Sequence, residues 1–240
     1  MKKYLFDTHI HTAESSACGE VAAADVVARY KSLGYDGIII TDHMQHCIDR
    51  FGGTYEENVD RFLDGYHTAK ALADENFKVI LGMELRFLEN DNDYLVYGFD
   101  EEFLYSRDLA HIPTLEDFMP IAKENNLAIF QAHPFRTGMQ IKAPNIVDGI
   151  EVYNGHGNHD SRNDIANMWA DKFGFRKLSG SDFHGVTTME PGGVYFEEVL
   201  EKIRDIRSSE KVLYRQVLDL YATSVDYDPR SETSIKFFKI

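Results

Sequence analysis

The stretch "YLFDTHIHT", Tyr4–Thr12, decides how the rest of the chain is read. "YLF" reads as a short apolar strand, and it runs straight into an acid and two histidines at alternate positions, Asp7, His9 and His11. In an extended chain, side chains at i, i+2 and i+4 share a face, so this spacing is expected to bring all three together. Three ionisable groups on one face of a core strand are costly unless water or a cation meets them.

Working outward, apolar runs of strand length recur as "DGIIITD", "KVILGME", "DYLVYGF", "LAIFQAH", "GIEVYN" and "KLSGSD". Helical spacing falls between them, with helices expected over 21–33, 55–75, 115–125, 162–173 and 196–208. Strand and helix alternate about seven times, which favours a parallel α/β layout. The unusual residues cluster at strand ends: "DTHIH", "TDH", "GME", "QAHP", "VYN" and "GSDFH". In parallel α/β folds the loops after the strands converge on that edge, and sites are built there. Imidazole and carboxylate together suit zinc, manganese or iron, whereas a thiolate-rich structural zinc site is absent. Glu84 has two oxygens and could bridge ions about 3.5–4 Å apart.

The 240 residues suffice for one sizeable core. A net charge of −15 argues against long nucleic acid as the ligand. Two cysteines, Cys18 and Cys47, make no disulfide framework. The start "MKKYLFDTHIH" turns polar too soon for a signal peptide, and no apolar run reaches membrane-spanning length. The expectation is a soluble cytoplasmic protein with no membrane partner; its oligomeric state is not legible.

"DTHIHT", "TDH", "GME", "AHP" and "GSDFH", in this order, resemble the polymerase and histidinol phosphatase (PHP) family of metal-dependent phosphoesterases. The resemblance covers about Tyr4 to His184. It implies a distorted (β/α)7 TIM-like barrel holding two or three divalent ions (Zn, Mn or Fe) at its C-terminal mouth. The whole chain, 1–240, would be one PHP-type domain, with 214–240 an extension packing on the barrel. Carried over by position, His9 and His11 would hold one ion with Glu84 and Asp182. Glu84 would bridge to a second ion shared with His133, and His43 and His184 would serve a third. Where the family often has an Asp or His soon after the first histidine pair, this chain offers Glu14 and Cys18. Where it often has a His on the strand after the bridging Glu, this chain offers Asp93 or Asp100.

The expected activity is hydrolysis of a phosphate monoester or small phosphodiester by metal-activated water, with no side chain named as nucleophile. Arg136, His159 and Arg162 are the candidate phosphate contacts, because arginine forks match phosphate oxygens. As a clamp, Arg136 is expected to act on substrate and leave metal content alone. The alternatives are an amidohydrolase-type metallohydrolase, which also opens on H-x-H, and a non-catalytic regulatory PHP module. Tyr94, Tyr97 and Phe99 read as core, His67 as surface, His111 as loop, and His46 and Cys47 as packing.

Overall fold

The apolar runs form strands β1 (Tyr4–Ile10), β2 (Gly37–Ile40), β3 (Lys78–Arg86), β4 (Asp93–Tyr97), β5 (Ala128–Gln131), β6 (Gly149–Asn154) and β7 (Arg176–Gly180). A short β8 (Val194–Phe196) follows. The helices are α1 (Ala23–Ser32), α2 (Tyr55–Ala71), α3 (Glu101–Tyr105), α4 (Leu115–Glu124) and α5 (Asn163–Phe173). This computed structural model describes residues 3–45, 52–187 and 191–196. His46, Cys47, the helix expected after Phe196 and the extension over 214–240 lie outside the described residues.

The strands form one mixed sheet in the order β7-β6-β5-β4-β3-β2-β1-β8. Strands β1 to β3 are parallel, as are β5 to β7. β4 runs antiparallel to both of its neighbours, and β8 runs antiparallel to β1. The expected parallel alternation therefore breaks at β4. The connection over 87–92 is too short for a crossover helix, which needs at least about 10–12 residues. Phe196, expected to start a helix, instead closes β8 against Tyr4.

The sheet curls until its far strands nearly meet. Thr8 Oγ1 donates to the Ser179 carbonyl (2.9 Å), and Ser181 N donates to Asp7 Oδ1 (3.0 Å). Beyond the strand ends, His11 N donates to the Phe183 carbonyl (3.0 Å). Gly180 permits this approach: a Cβ there would lie 2.4 Å from the Cβ of His9. The interior of the resulting barrel is filled mostly by strand residues, among them Phe6, Ile39, Leu95, Tyr97, Phe130 and Leu178. Two outer layers mix strand and helix residues, such as Ile10 with Val26 and Tyr30, and Val152 with Ala166 and Ala170. Tyr94 and Tyr97 are core, Phe99 packs on it half-buried, and His67 and His111 are exposed.

Local signals fix the helix positions. A capping box starts α2: Thr54 Oγ1 accepts from Glu57 N (3.2 Å) and Glu57 Oε2 accepts from Thr54 N (2.8 Å). Gly174, at φ 71°, ends α5 in the left-handed region that glycine adopts freely. Among the described residues, no helix is long and apolar enough to cross a membrane.

Simple alternation fails in β1. Its register against β2 shifts between Asp7 and Ile10. Phe6 faces the barrel interior, while the Asp7 carboxylate turns to the helix layer, where Tyr30 of α1 donates to it (2.8 Å). The irregularity lets His9 and His11 reach the mouth together and leaves Asp7 out of their group.

Candidate metal centre

Four ligand atoms meet from β1, from inside β3 and from just beyond β1 and β7. His9 Nε2 lies 3.2 Å from His11 Nε2, 3.3 Å from Glu84 Oε2 and 3.3 Å from Asp182 Oδ1. His11 Nε2 lies 3.2 Å from the same Glu84 oxygen and 3.3 Å from the same Asp182 oxygen. These five separations are near-equal, and all four atoms lie within 4.8 Å of one another. A regular tetrahedron of that size has its centre about 2.0 Å from each corner, which is a Zn–N or Zn–O bond length. All four residues are buried, so in water-poor surroundings their charges need an opposite partner. The donor set and its spacing fit a divalent cation.

Their other ring nitrogens are held too. His9 Nδ1 faces Glu151 Oε1 (3.0 Å), and that carboxylate also accepts from His133 N (2.9 Å) and Asn154 Nδ2 (2.9 Å). His11 Nδ1 meets Ser16 Oγ (3.2 Å), which donates to Asp42 Oδ1 (2.6 Å) and accepts from His43 N (3.1 Å). Asp42 is itself fixed by Thr12 N and Thr12 Oγ1, both at 2.7 Å. His184 Nδ1 donates to the Asp182 carbonyl (2.8 Å). Each arrangement leaves Nε2 facing the cluster, the tautomer a metal ligand needs.

Around this core are looser groups. His43, Glu84 and Asp93 bring ligand atoms within 4.8 Å of one another, as do His11, Cys18, His43 and His184. His133 Nε2 lies 3.2 Å from Glu84 Oε1 and 3.8 Å from Asp93 Oδ2. Its Nδ1 is buried without a hydrogen-bond partner. His133 (φ 28°) and Asp182 (φ 52°) hold positive-φ backbone, which costs a non-glycine residue about 1–3 kcal/mol and tends to collect at functional sites.

The electrostatics follow from burial opposed by close countercharge. Burial works against protonating His9, but the carboxylates of Asp182, Glu151 and Glu84 outweigh it and hold its pKa well above the usual value. The same contest leaves His11 at about 9, through burial against Asp182 and Glu84. Burial would raise Asp182 and Glu84, yet both lie well below the ordinary carboxylate range, Asp182 because of His9, His11 and Arg136, and Glu84 because of His43 and His9. The cluster demands positive charge. Burial and then His11 push His184 down to about 3, so it is a neutral donor. Burial, with Glu84 and Asp182, pushes the Cys18 thiol up to about 12. Asp93 is raised by burial and by Glu84.

The structure brings together His9, His11, His43, Glu84, His133, Asp182 and His184, with Cys18 and Asp93 beside them. It places two other candidates elsewhere. Both Glu14 oxygens accept from Ala23 N (3.0 Å), so this side chain serves the start of α1. Asp100 caps α3 by accepting from Phe103 N (3.0 Å). Because β4 is reversed, its first residue, Asp93, stands at the mouth, and Asp100 lies past the opposite end. Glu84 sits inside β3 rather than at its tip, paired with Leu95 of β4.

Of the three phosphate candidates, Arg136 is committed in part to the cluster: its Nη2 donates to Asp182 Oδ2 (2.8 Å), Asn154 Oδ1 (3.1 Å) and Ser161 Oγ (3.4 Å). It therefore touches Asp182, one of the candidate ligands, directly. Arg162 bonds the Phe135 carbonyl and Thr137 Oγ1, bracing the loop that carries Arg136. The His159 ring lies tilted against that of His156 (4.8 Å between ring centres), and His156 stands 4.8 Å from His184. Burial lowers the pKa of both His156 and His159.

Sequence reasoning missed Glu151 and the Ser16–Asp42 relay. A carboxylate in the middle of apolar "GIEVYN" was the one available signal for Glu151.

No curated protein matches this sequence. Residues 186–240 match the virulence protein RhuM family, almost wholly outside the described residues. Solved structures share the fold, three of them as follows. The first, from Bacteroides vulgatus, is a two-domain protein containing a predicted PHP-like metal-dependent phosphoesterase; it is 20% identical, with a TM-score of 0.60 over 87% of this chain and 63% of that one. PsfC from Pseudomonas syringae is 19% identical, with a TM-score of 0.62 over 93% of this chain and 99% of that one. Endonuclease Q, solved with a 27-mer duplex substrate bearing an abasic lesion at the active site, is 16% identical, with a TM-score of 0.58 over 88% of this chain and 57% of that one. The chain thus spans less than two thirds of the first and third of these. A DNA substrate on this fold makes the charge-based exclusion of long nucleic acid doubtful. The eight-stranded α/β barrel built here is the fold of the PHP-like metal-dependent phosphoesterases.

Proposed function

We propose that the chain is a metal-dependent phosphoesterase acting on a phosphate monoester or small phosphodiester. The observation that carries this reading is the convergence of His9, His11, Glu84 and Asp182 at the barrel mouth, with five of their ligand-atom separations at 3.2–3.3 Å. These residues would hold a first divalent ion. Glu84, with His133 and Asp93, would hold a second. Ions bound there supply Lewis-acid polarisation of a phosphoryl oxygen and a water of lowered pKa.

The chain's own groups do the rest. Glu151 and the Ser16–Asp42 pair keep His9 and His11 in the ligating tautomer. Arg136 holds Asp182 and would add a phosphate contact; its Nε is buried without a hydrogen-bond partner. His159 adds a second phosphate contact, with Arg162 supporting the loop. The compartment we infer is the cytoplasm, and the favoured substrate is a small phosphorylated molecule.

An amidohydrolase-type reading would want a bridging lysine. Here Glu84 offers the two oxygens that would bridge, while Lys70 and Lys142 bond the Val79 carbonyl and Glu89. The regulatory reading is disfavoured by the set of ligand side chains. The test is turnover by the manganese-loaded protein on three panels: phosphorylated metabolites, abasic DNA duplex, and amides or lactones. Release of phosphate from the first panel supports the proposal. Cleavage confined to DNA moves the substrate class, and turnover confined to the third panel overturns the proposal.

A further inference from the structure

We infer that Cys18, with His43 and His184, forms a thiolate site that takes a softer ion than the oxygen-rich position at Glu84 and Asp93. The inference rests on the metal-centre reading above and deepens it. The geometry sets the two positions apart.

The loop after β1 doubles back on itself. Ser16 N bonds the Thr12 carbonyl, Gly19 N bonds the Ser16 carbonyl, and Glu20 N bonds the His184 carbonyl at 2.8 Å. A Cβ at Gly19 would lie 2.4 Å from the Thr12 carbonyl oxygen, so the turn closes only on glycine. This places Cys18 Sγ 3.1 Å from His184 Nε2. With the His184 Nδ1 proton given to the Asp182 carbonyl, Nε2 carries the lone pair aimed at the sulfur. Three imidazoles surround that sulfur within 4.8 Å, and their rings pack closely: His11 to His43 at 4.5 Å and His11 to His184 at 4.3 Å between centres.

His11 belongs to the core group of four, since its Nε2 forms three of the near-equal separations and its Nδ1 is held by Ser16. The sulfur, His43 and His184 remain: three protein ligands and one open position, the pattern of a catalytic rather than a structural zinc site. On binding, the Cys18 S–H bond breaks, its proton leaves to solvent, and the sulfur lone pair bonds the ion. Thiolate and imidazole select zinc or cobalt(II); carboxylate and water suit manganese. One centre would then hold two kinds of ion.

Cobalt(II) titration of metal-free protein under argon tests this without reference to turnover. Wild-type protein is expected to develop the near-ultraviolet sulfur-to-cobalt charge-transfer band. Cys18→Ser should lose it and bind one ion fewer, while Cys47→Ser, which removes the other cysteine, should keep it. Cys18→Asp should retain the bound ion without the band and shift the site's zinc-to-manganese preference toward manganese about tenfold. Cobalt bound to saturation with no thiolate band, or a band surviving in Cys18→Ser, would overturn the inference. A thiolate band in a protein inert on every phosphate ester would leave this site standing and remove the phosphoesterase reading. No cobalt bound at all would remove both.

Discussion

The seam between β1 and β7 and the wall formed by β3 and β4 both offer ligands to the mouth, but they are built differently. At the seam, His9, His11 and Asp182 stand at near-equal spacing with Glu84, and the back of each imidazole is bonded. At the wall, both oxygens of Asp93 are taken by Arg86, at 2.7 Å each. There, His133 Nδ1 has no hydrogen-bond partner and its Nε2 is 3.8 Å from Asp93. Preorganised ligands bind without first breaking other bonds, so the seam should hold an ion tightly and the wall loosely.

The hardest way to break the comparison is at the seam. His9→Ala or Asp182→Ala should abolish the tightly held ion and cost about 10³-fold or more in kcat/KM, about 4 kcal/mol. Circular dichroism should be unchanged, since neither belongs to the hydrophobic cluster that fills the barrel. Elemental analysis after dialysis is the check, and full ion content in a folded His9→Ala protein would refute the assignment.

Glu151→Gln probes the seam more gently. It keeps the shape but removes the charge behind His9, and loss of such a partner weakens metal affinity about 10–100-fold. Zinc competition against a chromophoric chelator measures it; unchanged affinity would show that the His9 orientation is set by packing alone.

At the wall, the direction reverses. Arg86→Ala frees both oxygens of Asp93 and removes a neighbouring positive charge, so binding of the second ion should tighten about tenfold. Metal-free protein should melt lower, because the buried Asp93 carboxylate loses its partner. Calorimetric manganese titration separates the two effects. Weaker second-ion binding would mean that Arg86 orients Asp93 for the metal rather than competing with it.

The smallest expected effect is on pH. His9 and His11 have raised pKa values in the metal-free fold, His11 about 9. Protonated histidine beside carboxylates therefore contributes stability that is fully present below about 6.5 and is lost as pH rises through about 9. Metal-free protein should melt lower at pH 9.5 than at pH 6.5, while zinc affinity rises over the same interval as protons stop competing. Equal melting temperatures across that range would show that the two histidines are already neutral.

Much of this layout was legible. The apolar runs and their polar tips placed seven candidate ligands at one mouth, because strand-end position depends on local pattern. The reversal of β4 was written in the shortness of residues 87–92, but its consequence for Asp93 and Asp100 needed the strand's direction. Glu14 was misplaced because an acid two residues beyond a polar loop can serve a helix start as readily as an ion. Glu151 stayed hidden because its partner, His9, is 142 residues away.

The sequence by itself determined which residue types arrive at the barrel mouth, since hydrophobic periodicity sets strands and the polar residues fall where those strands stop. Only the tertiary structure decided which of them meet. The bulge that separates Asp7 from His9, the approach of β7 to β1 through Gly180 and the doubling back that sets Cys18 against His184 are long-range or backbone events. Ligand geometry is set within a few tenths of an ångström by packing across the barrel, and no local spacing encodes that.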